Sequence, residues 1–196
     1  MKILTWNMIM YSYLISYGAN LDSEFGSPMQ SLKHAISEFS LMDFTVQQQS
    51  RWYSSVSYPD SKSPSYVNGC LEMTCEIEPP ELLRKLKNVE KKMGRKIDKR
   101  WASRTCDFDI LSCKNFILPS KKVFNYWFSL PFDKQLQMKP TKLILPHPRM
   151  QDRPFVLIPL YDIKPNWTHP VFKVKLLSMI NKLSTEQRFA ISVIEE

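Results

Sequence analysis

The period of the apolar pattern switches back and forth along this chain, and the order of the switches limits its fold more than any other feature. Tyr11 to Tyr17 (YSYLISY) is aromatic and aliphatic enough for a strand, and Gly18-Ala19-Asn20 ends it with turn chemistry. Ser27 followed by Pro28 reads as an N-cap with proline at the first helical position, and Met29, Leu32, Ile36 and Phe39 carry a helix to about Ser40. Phe44 to Tyr53 is β-prone and leads into a polar loop, Ser54 to Ser65. Tyr66 to Ile77 reads as another strand, with Val67, Gly69, Leu71, Met73 and Cys75 on one face. Pro79-Pro80 opens a second helix whose stripe is Leu82, Leu83, Leu86, Val89 and Met93, and Gly94 is its stop. Thr105 to Leu111 (TCDFDIL) is a short strand. Strand, helix, strand, strand, helix, strand predicts an α+β fold: a ferredoxin-like split βαβ sandwich, an antiparallel sheet with helices packed on it.

The remainder is less periodic. Phe116 to Met138 has no clean period, Pro140, Pro146, Pro148 and Pro154 punctuate a loop around His147, Phe155 to Leu160 is apolar, and Val171 to Leu183 reads as a last helix. A chain of 196 residues is expected to form one domain, here with an atypical insertion at about 116–140 whose Phe124, Tyr126, Trp127, Phe128 and Phe132 call for something to pack on. A chain of this size buries roughly 70% of its unfolded surface, so disulfides and structural metal are not needed to hold it together. The four cysteines (Cys70, Cys75, Cys106, Cys113) lack C-x-x-C spacing and read as reduced core thiols, which fits a cytoplasmic protein. The apolar stretch from Met1 to Ser16 is interrupted by polar residues, is too short to span a bilayer and lacks a convincing cleavage site, so neither a membrane segment nor a signal peptide is expected. With four glycines in all, no P-loop and no G-x-G-x-x-G fingerprint occurs.

Charge is concentrated in one place. The net formal charge is +8, and between Arg84 and Arg104 ten basic residues face only Glu90 and Asp98, so that segment alone carries +8. A local positive field of this kind attracts a polyanion: nucleic acid, an anionic membrane or a nucleotide polyphosphate, against the bland alternative of a solvated helix face.

Asp107 and Asp109 stand two apart on a predicted strand, so their carboxylates share one face while Cys106, Phe108 and Ile110 point into the core. Two adjacent carboxylates repel, and Mg²⁺ relieves the repulsion at oxygen-rich octahedral sites. Arg100, Trp101 and Arg104 lie just upstream: two guanidiniums and an indole beside two carboxylates are the parts of a nucleoside triphosphate site.

The block Arg100-Trp101-Ala102-Ser103-Arg104-Thr105-Cys106-Asp107-Phe108-Asp109-Ile110-Leu111 resembles the signature R-W-G-P-R-T-x-D-x-D-[IL]-[ILM] of the 6-hydroxymethyl-7,8-dihydropterin pyrophosphokinase family, with Ala102-Ser103 in place of Gly-Pro. Gly18-Ala19-Asn20-Leu21, Tyr66-Val67-Asn68, Glu90 with Gly94-Arg95, and Leu145-Pro146-His147 with Arg153 and Phe155 resemble further family motifs in the same chain order, from about Tyr13 to Pro165. The resemblance implies an ATP- and Mg²⁺-dependent transfer of pyrophosphate to a pterin alcohol in folate biosynthesis. It implies that Asp107 and Asp109 hold two Mg²⁺ ions, and that Arg95, Arg104 and Arg153 neutralise phosphate oxygens. Glu90, Trp101, Ile110, Lys142 and His147 would line the ATP site. Ser55 and Asn68 would meet the polar edge of the pterin, with Tyr66 and Phe155 on its faces. Loops Ser54–Ser65 and Met93–Lys99 would close over the substrates. The expected partners are ATP and 6-hydroxymethyl-7,8-dihydropterin, with no nucleic acid and no membrane, and the expected state is a monofunctional monomer. The rival reading, a non-catalytic nucleic-acid-binding ferredoxin-like module, accounts for the basic segment but not for the carboxylates beside it, and no RNP-like run occurs. A catalytically decayed relative is the third reading.

Overall fold

The computed structural model describes residues 9–57, 62–95 and 103–195. Strand β1 (Tyr11–Ala19) is followed by α1 (Pro28–Ser37), a 3₁₀ turn (Glu38–Met42), β2 (Thr45–Gln49), β3 (Tyr53–Ser55), β4 (Tyr66–Cys75), α2 (Pro79–Lys92) and β5 (Asp107–Cys113). Then come α3 (Lys121–Phe128), α4 (Phe132–Gln137), a 3₁₀ turn (Met150–Asp152), α5 (Pro154–Ile163), α6 (Leu176–Ile180), α7 (Thr185–Phe189) and β6 (Ile191–Val193). The sheet runs β5-β1-β4-β3-β6, with β2 also on β4, and all its pairings are antiparallel. Its first five strands realise the anticipated ferredoxin-like arrangement, with β1 and β4 at the centre.

The α1 start is the capping box that Ser27 and Gln30 encode, each side chain satisfying the other's backbone N–H. Gly94, at φ 78°, ends α2 where only a residue without a Cβ adopts that turn cheaply. The β-prone run 44–53 is broken in two. The Ser50 hydroxyl takes the Cys70 amide (2.9 Å) while the Ser50 amide donates to the Cys70 carbonyl (2.9 Å), so one side chain replaces a ladder acceptor and the strand steps sideways. Ser54 and Ser55, expected in the loop, therefore belong to β3.

Alternation along β1 divides the core. Tyr13, Ile15 and Tyr17 join Leu71, Met73, Phe108 and Ile110 under α1 and α2, whereas Leu14, Cys70 and Leu111 join Val156, Leu157 and Leu160 of α5 on the opposite face. The four cysteines are buried free thiols. The expected helix Val171–Leu183 is helical only over Leu176–Ile180. Before it, Lys173 at φ 56°, the Thr168–Lys175 bridge and two amides capped by the His169 Nδ1 form a turn that competes with helix. The aromatic insertion packs on this turn: Phe124 and Phe128 contact Phe172, and Phe172 stacks on His169 at 4.3 Å. Among the described residues no helix is long and apolar enough to cross a membrane.

Gly69 tests how tightly the first face is packed. A Cβ there would lie 2.2 Å from the hydroxyl of Tyr17, whose ring is 3% exposed, sits edge-on to Trp52 at 5.2 Å and accepts a bond from Gln49. Gly69→Ala is expected to cost about 1–3 kcal/mol, the usual toll of overpacking, read as a lower urea midpoint.

Candidate active site

On the α5 face the sheet carries small or polar residues toward one end: Ser16 and Gly18 on β1, Asn68 on β4, Asp107 and Asp109 on β5. Register sets Gly18 between Asn68 and Asp107, and Ser16 beside Asp109. A Cβ at Gly18 would come within 3.0 Å of the Asn68 Oδ1, so the glycine leaves the floor open. As the D-x-D spacing requires, Phe108 is fully buried on the opposite face and Ile110 is 2% exposed, while the Asp107 and Asp109 side chains retain 19% and 33% exposure.

Cations surround the carboxylates. Arg104 donates to Asp107 Oδ2, and Arg95 donates to Asp107 Oδ1 at 2.5 Å and also to Glu90. Lys87 lies 3.7 Å from Asp107, and Arg153, at the start of α5, donates to Asp109 at 3.1 Å. Burial opposes ionisation of Asp109, but His147 when protonated, Arg153, Lys87 and Arg104 outweigh it and hold the carboxyl well below the usual range. His147 is placed by its amide on the Leu111 carbonyl (2.8 Å) and presents Nε2 to Asp109 at 3.9 Å. Burial and then Arg153 push its imidazole down to about 4, so it is neutral at pH 7.

Glu90 lies behind the cluster rather than on an open wall. It is 1% exposed and accepts from the Phe108 amide (2.7 Å) and from Lys87 (2.6 Å), and Lys87 also donates to the Phe108 carbonyl (3.1 Å). Burial raises its carboxyl to about 6 even with Lys87 and Arg95 at hand.

The second group borders the charges, with Tyr66 close enough to feel Arg104, Asp107 and Arg95. Asn68, 4% exposed, donates to the Ser55 hydroxyl at 2.8 Å, and half-buried Tyr66 stands beside it on β4. Phe155 packs against the α5 core with the Arg153 guanidinium 5.9 Å above its ring. The Ile110 side chain belongs to the core under α2, and Lys142 is exposed and joins none of the cluster's ion pairs. Trp101, with Arg100, Ile97 and most of loop 93–99, lies outside the described residues.

Two residues with a structural hand in the site had no role assigned from sequence. Asn20, 2% exposed, accepts from the Arg104 amide (2.7 Å) and donates to the Pro64 carbonyl (3.0 Å) and Ser103 hydroxyl (3.1 Å), tying together the approaches to β4 and β5. Its signal was the turn G-A-N-L itself, where an asparagine both donates and accepts. Lys87 was legible as the i,i+3 partner of Glu90.

A ferredoxin-like sandwich with paired carboxylates among guanidiniums at one end of its sheet is a scaffold for phosphoryl-group chemistry. The model of the 7,8-dihydro-6-hydroxymethylpterin-pyrophosphokinase family matches residues 14–165, and the chain belongs to that family. A 2-amino-4-hydroxy-6-hydroxymethyldihydropteridine pyrophosphokinase of Synechocystis is 32% identical over 171 residues, covering 87% of this chain and 75% of the relative. A Haemophilus influenzae protein of the same name is 29% identical over 155 residues, covering 79% and 82%. A crystallised Plasmodium falciparum HPPK-DHPS matches the fold with a TM-score of 0.63 at 14% identity, over 92% of this chain and 44% of that one. Transfer of pyrophosphate from ATP to hydroxymethyldihydropterin, in folate biosynthesis, is the activity this membership supports, and the nucleic-acid-binding reading is not favoured.

The buried histidines give the fold an acid limit. Burial pushes His169 down to about 4, as it does His147, whereas unfolded imidazoles take protons near pH 6.5. Between about pH 6.5 and about 4 the unfolded chain therefore binds more protons, and stability falls as pH falls. Glu90, raised to about 6, acts oppositely, its contribution being lost as pH rises through that value. The double variant His147→Gln/His169→Gln is expected to show a smaller drop in urea midpoint between pH 6.5 and 4.5 than the parent, each compared with its own value at pH 7.5.

Proposed function

We propose that Asp107 and Asp109 hold two Mg²⁺ ions against the triphosphate of ATP, and that Asn68, Ser55, Tyr66 and Phe155 hold the pterin. The observation that carries this reading is the grip of Arg95 and Arg104 on opposite oxygens of one Asp107 carboxylate, with Asp109 and Arg153 alongside on the same sheet face. The donor set fits the metal. Among the described residues no group of three or more His, Cys, Asp or Glu side chains converges, and Mg²⁺ is normally held by one or two carboxylates with phosphate and water oxygens completing the octahedron. When bound there, the metal would supply positive charge that offsets the charge developing on the phosphate oxygens.

The chain's own residues supply the rest. Lys87, Arg95, Arg104 and Arg153 are four cations facing Glu90, Asp107 and Asp109, a surplus that favours a polyphosphate. Arg95 and Arg104, which grip the two Asp107 oxygens here, would turn to phosphate oxygens when that carboxylate serves the metal. There they would steady charge as the pterin hydroxyl oxygen bonds to the β-phosphorus, its proton passing to solvent, while the bond from the β-phosphorus to the oxygen that leaves with AMP breaks. Neutral His147 is a hydrogen-bonding group beside Asp109 rather than a further positive charge. Asn68 offers an amide to the polar pterin edge, and Tyr66 and Phe155 offer ring faces. Buried free thiols support a cytoplasmic enzyme, and the cations around the paired carboxylates support small phosphorylated substrates; we propose that it acts as a monomer.

The deciding assay is AMP release from ATP, which is expected only when both Mg²⁺ and the hydroxymethyl dihydropterin are present; AMP formed at the same rate without the pterin would overturn the reading. Asp107→Asn and Asp109→Asn are each expected to lower turnover by at least about a hundredfold. Within the basic segment, placed guanidiniums should matter more than bulk charge. Lys92 pairs with Glu38 (3.2 Å) and Lys85 lies over the Phe44 ring (6.0 Å), both on the side of α2 turned toward the 3₁₀ turn. Arg104→Ala should therefore cost about a hundredfold in turnover, and Lys85→Ala/Lys91→Ala/Lys92→Ala only a few-fold. The reverse ranking, together with salt-sensitive RNA binding, would point to the nucleic-acid reading.

A further inference from the structure

The last strand of the sheet lies beyond residue 165, where the family match ends, and it is laid along the proposed pterin pocket. Strand β6 pairs antiparallel with β3, placing Ile191 opposite Ser55, Ser192 opposite Ser54 and Val193 opposite Tyr53, and the Ile194 amide donates to the Trp52 carbonyl at 2.9 Å. The other edge of β3 pairs Ser55 with Tyr66 and Tyr53 with Asn68. Three of the four residues proposed to hold the pterin thus sit on two adjacent strands, and the outer of these is only three residues long.

The burial of β6 does not explain its presence. Val193 is 41% exposed, Ser192 is exposed, and Phe189 just before the strand is 81% exposed, so the strand gains little by covering its own side chains. What it provides is a ladder. A three-residue edge strand followed by a ten-residue connection (56–65) is marginal with one neighbour and is fixed by two. The C-terminal segment is itself well anchored. Leu176, Met179 and Leu183 are buried in the α5 core, Ser184 and Gln187 form a capping box at α7, and Ile194 packs on the core under α1 and α2. A firm base thus reaches across to a weak strand.

The pocket depends on the position of that strand through one hydrogen bond. The Ser55 hydroxyl, 5% exposed, receives the Asn68 Nδ2 at 2.8 Å, which leaves the Asn68 Oδ1 on the Gly18 side as the free acceptor. If β3 moves, the amide keeps only a long bond to the Tyr66 carbonyl on its own strand (3.4 Å) and loses the short one that fixes which of its ends faces the substrate. We infer that β6 is a positioning strand for the pterin: by pairing with β3 it sets Ser55, and through Ser55 it holds the Asn68 amide ready for the donor edge of the substrate. The inference rests on the pterin pocket proposed above.

Ser192→Pro removes a ladder donor from β6 without changing the identity of any pocket residue. Its KM for the pterin is expected to rise about tenfold, the worth of one misplaced hydrogen bond, while KM for ATP and kcat at saturating pterin stay within about twofold. Phe189→Ser, an exposed change outside the strand, should leave all three unchanged. An unaltered pterin KM in Ser192→Pro, or equal rises for pterin and ATP, would overturn the inference. Asn68→Ala separates the two ideas. If it does not raise the pterin KM, the pocket assignment itself fails. If it does and Ser192→Pro does not, only the role of β6 fails. Should Ser192→Pro not fold, amide exchange in the intact enzyme decides: saturating pterin is expected to slow exchange at 191–194 as well as at 53–55, and protection confined to 53–55 overturns the inference.

Discussion

The peptide between the two aspartates is held from outside the sheet, and the site depends on that restraint. Among the described residues β5 is an edge strand, so the Phe108 amide and carbonyl face away from β1 with no described strand to receive them. Glu90 takes the amide and Lys87 the carbonyl, and the two side chains also bond each other, three residues apart on α2. A buried carboxylate on an unpaired amide is costly to remove, because the amide would be left without a partner in a dry place. The same contact excludes edge-to-edge pairing at this point and fixes the carboxylates flanking Phe108 in direction as well as in position.

That arrangement also sets the electrostatics. Glu90 is expensive to ionise where it lies, as its raised carboxyl records, and Arg95 is drawn to it and to Asp107 at once. The guanidinium is therefore shared between a buried carboxylate that cannot leave and the half-buried one proposed to bind metal. Such a cation already stands at the place proposed for phosphate, so binding of a nucleotide there would exchange partners instead of ordering a distant side chain, at a small entropic cost.

Much of the fold was legible because it is periodic. The β1 and β4 alternation, the α1 cap, the Pro-led α2 and its glycine stop can be read directly, and the strand–helix order then leaves few topologies. The carboxylate face was legible for the same reason, since a spacing of two on a strand has one outcome. What was not legible depends on long-range replacement of backbone bonds. Ser50 breaks an apparently continuous strand only because Cys70 lies opposite it. Residues 171–175 resist helix because the His169 ring caps the amides of Val171 and Phe172. The β6 pairing joins residues more than a hundred apart through backbone hydrogen bonds, and its three-residue Ile191-Ser192-Val193 run is too short to announce a strand. Glu90 read as a wall of the nucleotide site from its motif; that it turns inward follows from the edge position of β5, which no local pattern states.

The open floor at Gly18 bears on how this pocket could change over generations. A blocker wedged against that backbone would be evaded most simply by adding a methyl group there. The first atom of such a methyl would lie 3.0 Å from the Asn68 oxygen, the same group proposed to receive the natural substrate. The mutation that expels the blocker also displaces the substrate's own acceptor, so at this spot escape and function draw on the same few cubic ångströms.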